Sequence, residues 1–522
     1  MVKDKQAGIC RTEGDTNMKT MLERGAGILM PVSSLPSPYG IGTFGSAAYD
    51  FVDFLKKARQ KYWQVLPVGP TSYGDSPYQS FSAFAGNPYF IDLDTLVKEG
   101  LLTQDEINAC YWGDNPTQVA YDAVFWYRFP LLKKAYARSE YREEQGYEKF
   151  CMDSWFWLND YAFYMALKFH FDNKEWLAWP EDIRFRKKEA VESYREELKD
   201  EIDFWKFLQY KFYQQWGKLR AYANEQGISI IGDIPIYVAL DSADVWTHPE
   251  LFLLDEENLT PIKVAGVPPD AFSETGQLWG NPLYRWDYHR ETGYQWWISR
   301  LAHCFRLYDV VRIDHFRGFD EYYSIPYGET SAVNGHWEKG PGIDLFRKVE
   351  QALGWKQVIA EDLGYVTDSV RRLVQESGFP GMKVLEFAFD SRDSGCANDY
   401  LPHNYTENSV AYTGTHDNET LAGWWKSITP EEQKMVREYL CDQYTPQSKL
   451  GKSLISLILR SRSVLCVIPM QDYMGLDNRS RINKPSTVGT NWKWRLAKSD
   501  LTEDLKQEIH GMTLRYGRMN WN

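Results

Sequence analysis

Eight short apolar runs, separated by stretches of helical periodicity, constrain this chain more than any other feature. They occupy 27–32, 62–68, 228–236, 308–314, 357–361, 382–387, 409–413 and 464–468. Runs of this length, rich in Val, Ile and aromatic residues, suit buried strands, and strands that alternate with helices signal a parallel sheet. An open, doubly wound sheet alternates in the same way. A count of eight favours a closed (β/α)8 barrel, an α/β fold with helical and loop insertions. So does the presence of Asp233, Asp314, Glu361 and Asp417 at the carboxyl ends of four different runs, where such barrels keep their active sites.

Three of those tips are richer in chemistry than a strand end needs to be. Val310, Val311 and Ile313 lead into Asp314, flanked by Arg312, His315 and Arg317. Val358, Ile359 and Ala360 lead into Glu361, and Val410, Ala411 and Tyr412 lead through Gly414 into His416, Asp417 and Asn418. A buried strand has little reason to finish on ionisable groups unless they are used or fully paired. If Asp314, Glu361 and Asp417 share one pocket floor, their repulsion raises at least one pKa, while Arg312, with His315 and His416 nearby, holds others ionised. One acid and one base near neutrality is what cleavage of a glycosidic bond requires. The plainer reading, acids paired with arginines for stability, fits one such tip better than three. A metal site is not expected, because the first strand carries no histidine and no two histidines fall in a His-x-His or His-x-x-x-His pair.

Composition narrows the partners. Seventy-two acids against fifty-nine Lys and Arg give a net charge of −13, which repels nucleic acid and anionic membranes. No window nears eighteen uninterrupted apolar residues, and residues 1–20 are polar, so the expectation is a cytoplasmic protein with a loosely held tail over 1–24 and one catalytic barrel over 25–522. Seven scattered cysteines without a Cys-x-x-Cys pair read as reduced thiols. Aromatics reach 16%, and 21 Trp and 34 Tyr offer rings with polar handles that suit sugars as well as a core.

Along the chain, 46–60 reads as a helix with Ala47, Ala48, Phe51, Phe54, Leu55 and Ala58 on one face. Residues 100–227 read as a mainly helical insertion, whose stretch 186–203 is a solvated face. Gly40-Ile41-Gly42-Thr43-Phe44-Gly45 matches a dinucleotide fingerprint, but Pro36 to Tyr39 separate it from its strand and the next strand ends in Pro67-Val68-Gly69-Pro70 without the required acid. No cofactor is expected. The stretch 73–92, dense in hydroxyls and rings, reads as a functional loop, and 266–282 as a lid with Phe272 and Trp279 to stack on sugar faces and Asp270 and Gln277 to bond hydroxyls.

Together these motifs resemble the 4-alpha-glucanotransferases of glycoside hydrolase family 77, from about Gly25 to Trp494. The resemblance rests on Gly74-Asp75-Ser76-Pro77-Tyr78-Gln79-Ser80, Gly232-Asp233-Ile234-Pro235, the 268–282 stretch, Arg312 to Gly318, Ala360 to Gly364, Gly414 to Asn418, and a closing motif from Arg481 to Arg495. Within that closing motif, Ser486 and Thr490 stand where Gly is frequent. The resemblance implies a barrel without a C-terminal β domain and a retaining transfer of maltooligosaccharyl units between alpha-1,4-glucans. It implies Asp314 as nucleophile, Glu361 as acid/base and Asp417 as transition-state stabiliser. Arg312 and His416 flank them, and Ser76, Tyr78, Asp233, Asp270, Phe272, Gln277, Trp279 and His315 are expected at the substrate. The rivals are a hydrolytic alpha-glucanase and a non-catalytic glucan-binding protein.

Overall fold

The computed structural model describes residues 22–269, 273–364, 366–391 and 399–521. Twelve strands run through the described residues: β1 (Gly25–Leu29), β2 (Tyr62–Gln64), β3 (Ser229–Ile234), β4 (Lys263–Val267), β5 (Gln277–Pro282), β6 (Val310–Ile313), β7 (Glu321–Pro326), β8 (His336–Lys339), β9 (Val358–Ala360), β10 (Gly381–Val384), β11 (Ser409–Tyr412) and β12 (Leu465–Pro469). Eight of them close into a parallel barrel in the order β1-β12-β11-β10-β9-β6-β3-β2. Each of the eight apolar runs contributes one strand, and the barrel excludes the open doubly wound sheet. Several strands are shorter than their runs: the polypeptide after β2 and β3 turns away at Pro67 and Pro235, since proline cannot donate to a ladder.

The described part of the insertion, from Leu93–Lys98 onward, is helical, and its spine is the helix Lys199–Glu225. That helix buries Phe204, Leu208, Phe212, Trp216, Leu219 and Ala223, the residues spaced near four apart. Trp216 Nε1 donates to Leu307 O at 3.0 Å and fastens the helix to the barrel. The helix Lys188–Glu197 buries only Ala190, as a solvated face should. Between 40 and 45 the chain enters the helix Ser46–Lys57, and a Cβ on Gly45 would lie 2.0 Å from Asp92 Oδ2. Gly45 thus lets a neighbouring carboxylate approach the backbone, and that carboxylate would repel a pyrophosphate.

The stretch expected as a lid loop differs from expectation. Its two arms are strands β4 and β5, an antiparallel hairpin that joins β7 and β8 in a separate sheet of order β5-β4-β7-β8. Alternating positions with turn residues between them favour a hairpin over an irregular loop, and the sequence pattern was obscured by Gly266, Gly276 and Gly280. Asp270 and Phe272 lie outside the described residues. Among the described residues, no helix is long and apolar enough to cross a membrane, and Cys110, Cys151, Cys304, Cys441 and Cys466 are free thiols.

Arg518, with no exposed surface, seals the amino-terminal end of the barrel. Its guanidinium donates to Leu459 O at 2.5 Å, Gly25 O at 3.1 Å, and Ser461 O and Ser463 O at 2.9 Å each, joining the last helix to the roots of β1 and β12. Replacing it with methionine leaves buried carbonyls without donors, and the expected loss is about 3 kcal/mol or more, because each orphaned group costs about 1–3 kcal/mol. Denaturant unfolding of Arg518→Met measures it.

Candidate active site

The ladder register brings the strand tips together. Asp233 in β3 pairs with Arg312 in β6, and Ile313 pairs with Ala360 of β9, so Asp314 and Glu361 leave neighbouring strands at the same level. Arg312 Nη1 lies 2.7 Å from both carboxylate oxygens of Asp233 and 3.0 Å from Asp314 Oδ1. Arg312 is nearly inaccessible and Asp233 wholly so, which makes their pairing obligatory in a medium that solvates neither charge. Asp233 therefore supports Arg312 from behind and presents no surface to the cleft.

Tyr78 closes the other side. Its hydroxyl donates to Asp233 Oδ2 at 2.8 Å and lies 3.3 Å from His416 Nδ1. The two rings stack at 4.9 Å with Trp492 beside them. A phenol has one proton, and Asp233 takes it, so His416 Nδ1 is the donor to Tyr78. His416 Nε2 faces Asp417 Oδ2 at 3.4 Å, which makes it a donor too. Both ring nitrogens then carry protons, and His416 is an imidazolium. Burial alone would lower its pKa, but the Asp417 carboxylate outweighs that and raises it.

Asp417 is held from several directions. Asn483 Nδ2 donates to Oδ1 at 2.6 Å and Arg481 Nη2 to its backbone oxygen at 2.6 Å. Burial acts to raise its pKa, yet the side chain keeps 44% exposure to the cleft. Attraction to His416 and the Asn483 bond therefore prevail and hold it near 2. Asp314 differs: burial pushes its carboxyl up to about 6 against the pull of Arg312. Glu361 lies highest, pushed to about 8 by burial and then by the charge of Asp314. Each Glu361 oxygen accepts a backbone N–H, from His315 at 2.6 Å and Leu363 at 3.1 Å, which fixes the carboxyl and leaves a lone pair on each oxygen free.

His315 adopts a left-handed conformation (φ 51°), an unusual backbone for this residue that turns the chain so its N–H meets Glu361. Burial keeps its ring neutral, with a pKa near 3, and its buried Nε2 has no hydrogen-bond partner among the described residues. Trp279, on β5, sets its ring perpendicular to His315 at 4.8 Å and donates to Gln277 Oε1 at 3.1 Å. The hairpin base thus reaches the site. Ser76 stands one step away: its hydroxyl accepts the Tyr78 N–H at 3.3 Å and positions that residue. Asn483, Arg481 and Trp492 lie in the closing motif and belong to no strand tip, and their only sequence signal is an Asn, an Arg and a Trp in a glycine- and proline-bearing segment. Within it Ser486 takes φ 62°, the conformation for which glycine is suited.

A closed barrel whose carboxyl end carries three carboxylates poised at different pKa values is of the class of barrel enzymes that act on glycosidic bonds. The glycoside hydrolase family 77 model, 4-alpha-glucanotransferase, matches residues 30–502. The 4-alpha-glucanotransferase of Clostridium butyricum is 50% identical over 490 residues, 94% of this chain and 100% of that relative. The chloroplastic/amyloplastic 4-alpha-glucanotransferase of Solanum tuberosum is 41% identical, covering 95% of this chain and 87% of its own. An amylomaltase of Streptococcus agalactiae, solved in complex with acarbose, is similar with a TM-score of 0.92 and 44% identity, over 95% of this chain and 100% of that one. The chain belongs to glycoside hydrolase family 77, and it is an enzyme of glucan transfer.

Removing the Tyr78 hydroxyl takes away the acceptor for His416 Nδ1, so Tyr78→Phe is expected to lower the His416 pKa. An NMR titration of the His416 imidazole in wild type and variant reads the shift.

Proposed function

We propose that this enzyme moves maltooligosaccharyl units between alpha-1,4-glucans by two displacements with net retention. The observation that carries the reading is the placement of Asp314 and Glu361 on adjacent strand tips, with Arg312 3.0 Å from Asp314 and backbone N–H groups on both oxygens of Glu361, an arrangement that raises the proton affinity of Glu361 above that of Asp314. Near neutrality the first is an anion able to attack and the second an acid able to donate.

In the first displacement an Asp314 oxygen attacks the anomeric carbon while Glu361 gives its proton to the departing 4-oxygen. In the second, the Glu361 carboxylate takes the proton from an acceptor 4-hydroxyl, whose oxygen attacks the same carbon and expels Asp314. Asp417 stays ionised throughout and faces the positive charge that develops on the ring. Arg312 keeps Asp314 ionised and aimed, and His416 does the same for Asp417. The site before binding carries charges of Asp233, Asp314 and Asp417 against Arg312 and His416, one negative charge in excess, which favours a cationic transition state.

Tyr78, Trp279 and His315 are the groups we assign to the sugar beside the reacting bond, with Gln277 orienting Trp279 and Ser76 orienting Tyr78. His315 Nε2, buried without a hydrogen-bond partner among the described residues, suits a sugar hydroxyl. Asp270 and Phe272, which lie outside the described residues, are assigned to the substrate by the family resemblance alone. The hairpin acts as a lid that holds an acceptor sugar and excludes water. We place the enzyme in the cytoplasm, in starch or glycogen metabolism, with maltooligosaccharide donors and maltooligosaccharide or glucose acceptors.

Incubation with maltotriose is expected to give glucose and longer oligosaccharides at constant total reducing ends; a steady rise in reducing ends would identify a hydrolase instead. Glu361→Gln and Asp314→Asn are each expected to lower transfer by about 100-fold or more, the lower bound for a lost general acid, while binding survives. The pH profile of kcat/KM is expected to be bell-shaped. It falls as pH drops through about 6, where Asp314 takes up a proton, and falls as pH rises through about 8, where Glu361 loses its own. A limb that persists unchanged in a variant of the corresponding residue would overturn that assignment.

A further inference from the structure

Behind Asp417 lies an acid that the proposed reaction does not use. Glu386 follows β10 in a short turn (Leu385–Phe387), and its N–H donates to Thr413 O at 3.3 Å. Its side chain reaches toward the β11 tip, passing Gly414. A Cβ placed on Gly414 would lie 2.8 Å from Glu386 Oε1 and 3.0 Å from Asn418 Cβ, so the missing side chain is what lets Glu386 and Asn418 meet. The Asn418 oxygen is fully engaged, accepting from Thr415 N at 2.9 Å and Thr415 Oγ1 at 2.8 Å. Its amide nitrogen is left for Glu386, with which the side chain interacts. Thr415 Oγ1 in turn accepts the Asp417 N–H at 3.2 Å. A continuous chain of contacts thus runs from Glu386 through Asn418 and Thr415 to the backbone of Asp417.

The surroundings of Glu386 oppose a charge there. Its Oε1 is buried without a hydrogen-bond partner among the described residues. Asp472 and Glu419 face it with like charge, and the nearest cation, Arg481, spends its fork on Asp417 O and Asn483 O. Asp472 is itself tied to Thr413 Oγ1 at 2.5 Å and Leu421 N at 2.7 Å, so it cannot swing away.

We infer that Glu386 is a positioning residue, which as an uncharged carboxylic acid supports Asn418 and so holds the turn that presents His416 and Asp417 to the substrate. Burial, with Asp472 and Glu419 adding to it, outweighs the opposing pull of Arg481 and the Asn418 amide and raises its pKa well above the ordinary carboxyl value, in keeping with that role. The inference rests on the reading of Asp417 given above. Ionisation of Glu386 puts a third negative charge beside Asp472 and Glu419, and separating them displaces Asn418.

The test is disproportionation of maltotriose by wild type, Glu386→Gln, Glu386→Ala and Asp417→Asn between pH 6 and 10, with thermal unfolding of each protein as a folding check. Glutamine keeps shape and neutrality, so Glu386→Gln is expected to stay within about twofold of wild type in kcat at pH 7. Its kcat relative to wild type is expected to rise as pH increases, because only the wild type can ionise at this position. Glu386→Ala is expected to lose at least about tenfold in kcat with KM changed less than about threefold. A folded Glu386→Ala with wild-type kcat overturns the inference, as does a tenfold loss in Glu386→Gln or a ratio that stays flat to pH 10. If Glu386→Ala does not fold, the glutamine variant alone decides through the last two outcomes. A fully active Asp417→Asn would instead overturn the parent reading, independently of Glu386.

Discussion

The buried guanidinium of Arg312, shared between Asp233 and Asp314, is the interaction on which the floor of the barrel depends. Two strands meet there in register, and a cation shared between a wholly buried carboxylate and one that opens to the cleft is the arrangement that makes the burial of Arg312 and Asp233 tolerable. Removing Arg312 leaves two carboxylates without their shared cation in a poorly polarisable medium. The strand ends are therefore fixed by the same contacts that set the ionisation of Asp314. Stability and chemistry cannot be varied separately at this point.

From that centre the three cleft carboxylates diverge by their access to positive partners. Asp417 has an imidazolium beside it, a bond from Asn483 and open access to solvent, and it stays ionised. Asp314 has half a share in Arg312 and is otherwise buried, so its affinity for a proton rises to the edge of neutrality. Glu361 is bonded to no side-chain cation, only to two backbone N–H groups, and it feels Asp314 as a like charge. A gradient from a permanent anion to a proton donor follows from counting cations near each group.

Much of this was legible in the sequence, because strands that end in charge are physically odd. Asp233, Asp314, Glu361 and Asp417 each broke an apolar run, and a parallel barrel puts every such break at one end. What the runs could not convey was depth. Asp233 and Asp314 look alike as strand-end acids, yet only the ladder pairing with Arg312 reveals that one faces inward and the other faces the cleft. Strand boundaries were overrun where proline ended a ladder before the apolar residues ran out, as after Gln64 and Ile234. The hairpin of β4 and β5 read as a loop because glycines interrupt its alternation, and its partner strand β7 lies more than forty residues away in sequence. Asn483, Arg481 and Trp492 reach the site from a segment with no periodicity, and only the fold brings them to Asp417 and His416.

The helical insertion explains how the remaining wall is kept in place. Tyr78 has to stand within hydrogen-bonding distance of Asp233 although it comes from a long segment between β2 and the first inserted helix. That segment is tied internally, with Ser72 Oγ donating to Gln79 O at 2.8 Å, and then bound to the helix Lys199–Glu225. Gln209 Oε1 accepts from Gly86 N at 2.7 Å and Gln215 Oε1 from Asp92 N at 2.7 Å. Gly86 packs so closely on the Phe212 ring that a Cβ would lie 2.1 Å from it. Two glutamines and a phenylalanine on one face of a helix therefore fix the segment's far end, and its near end is fixed by β2. A segment held at both ends loses little further entropy when Tyr78 docks on Asp233 and His416. The helix that looks most remote from the chemistry is in this way part of what keeps His416 protonated, and through His416 it bears on the ionisation of Asp417.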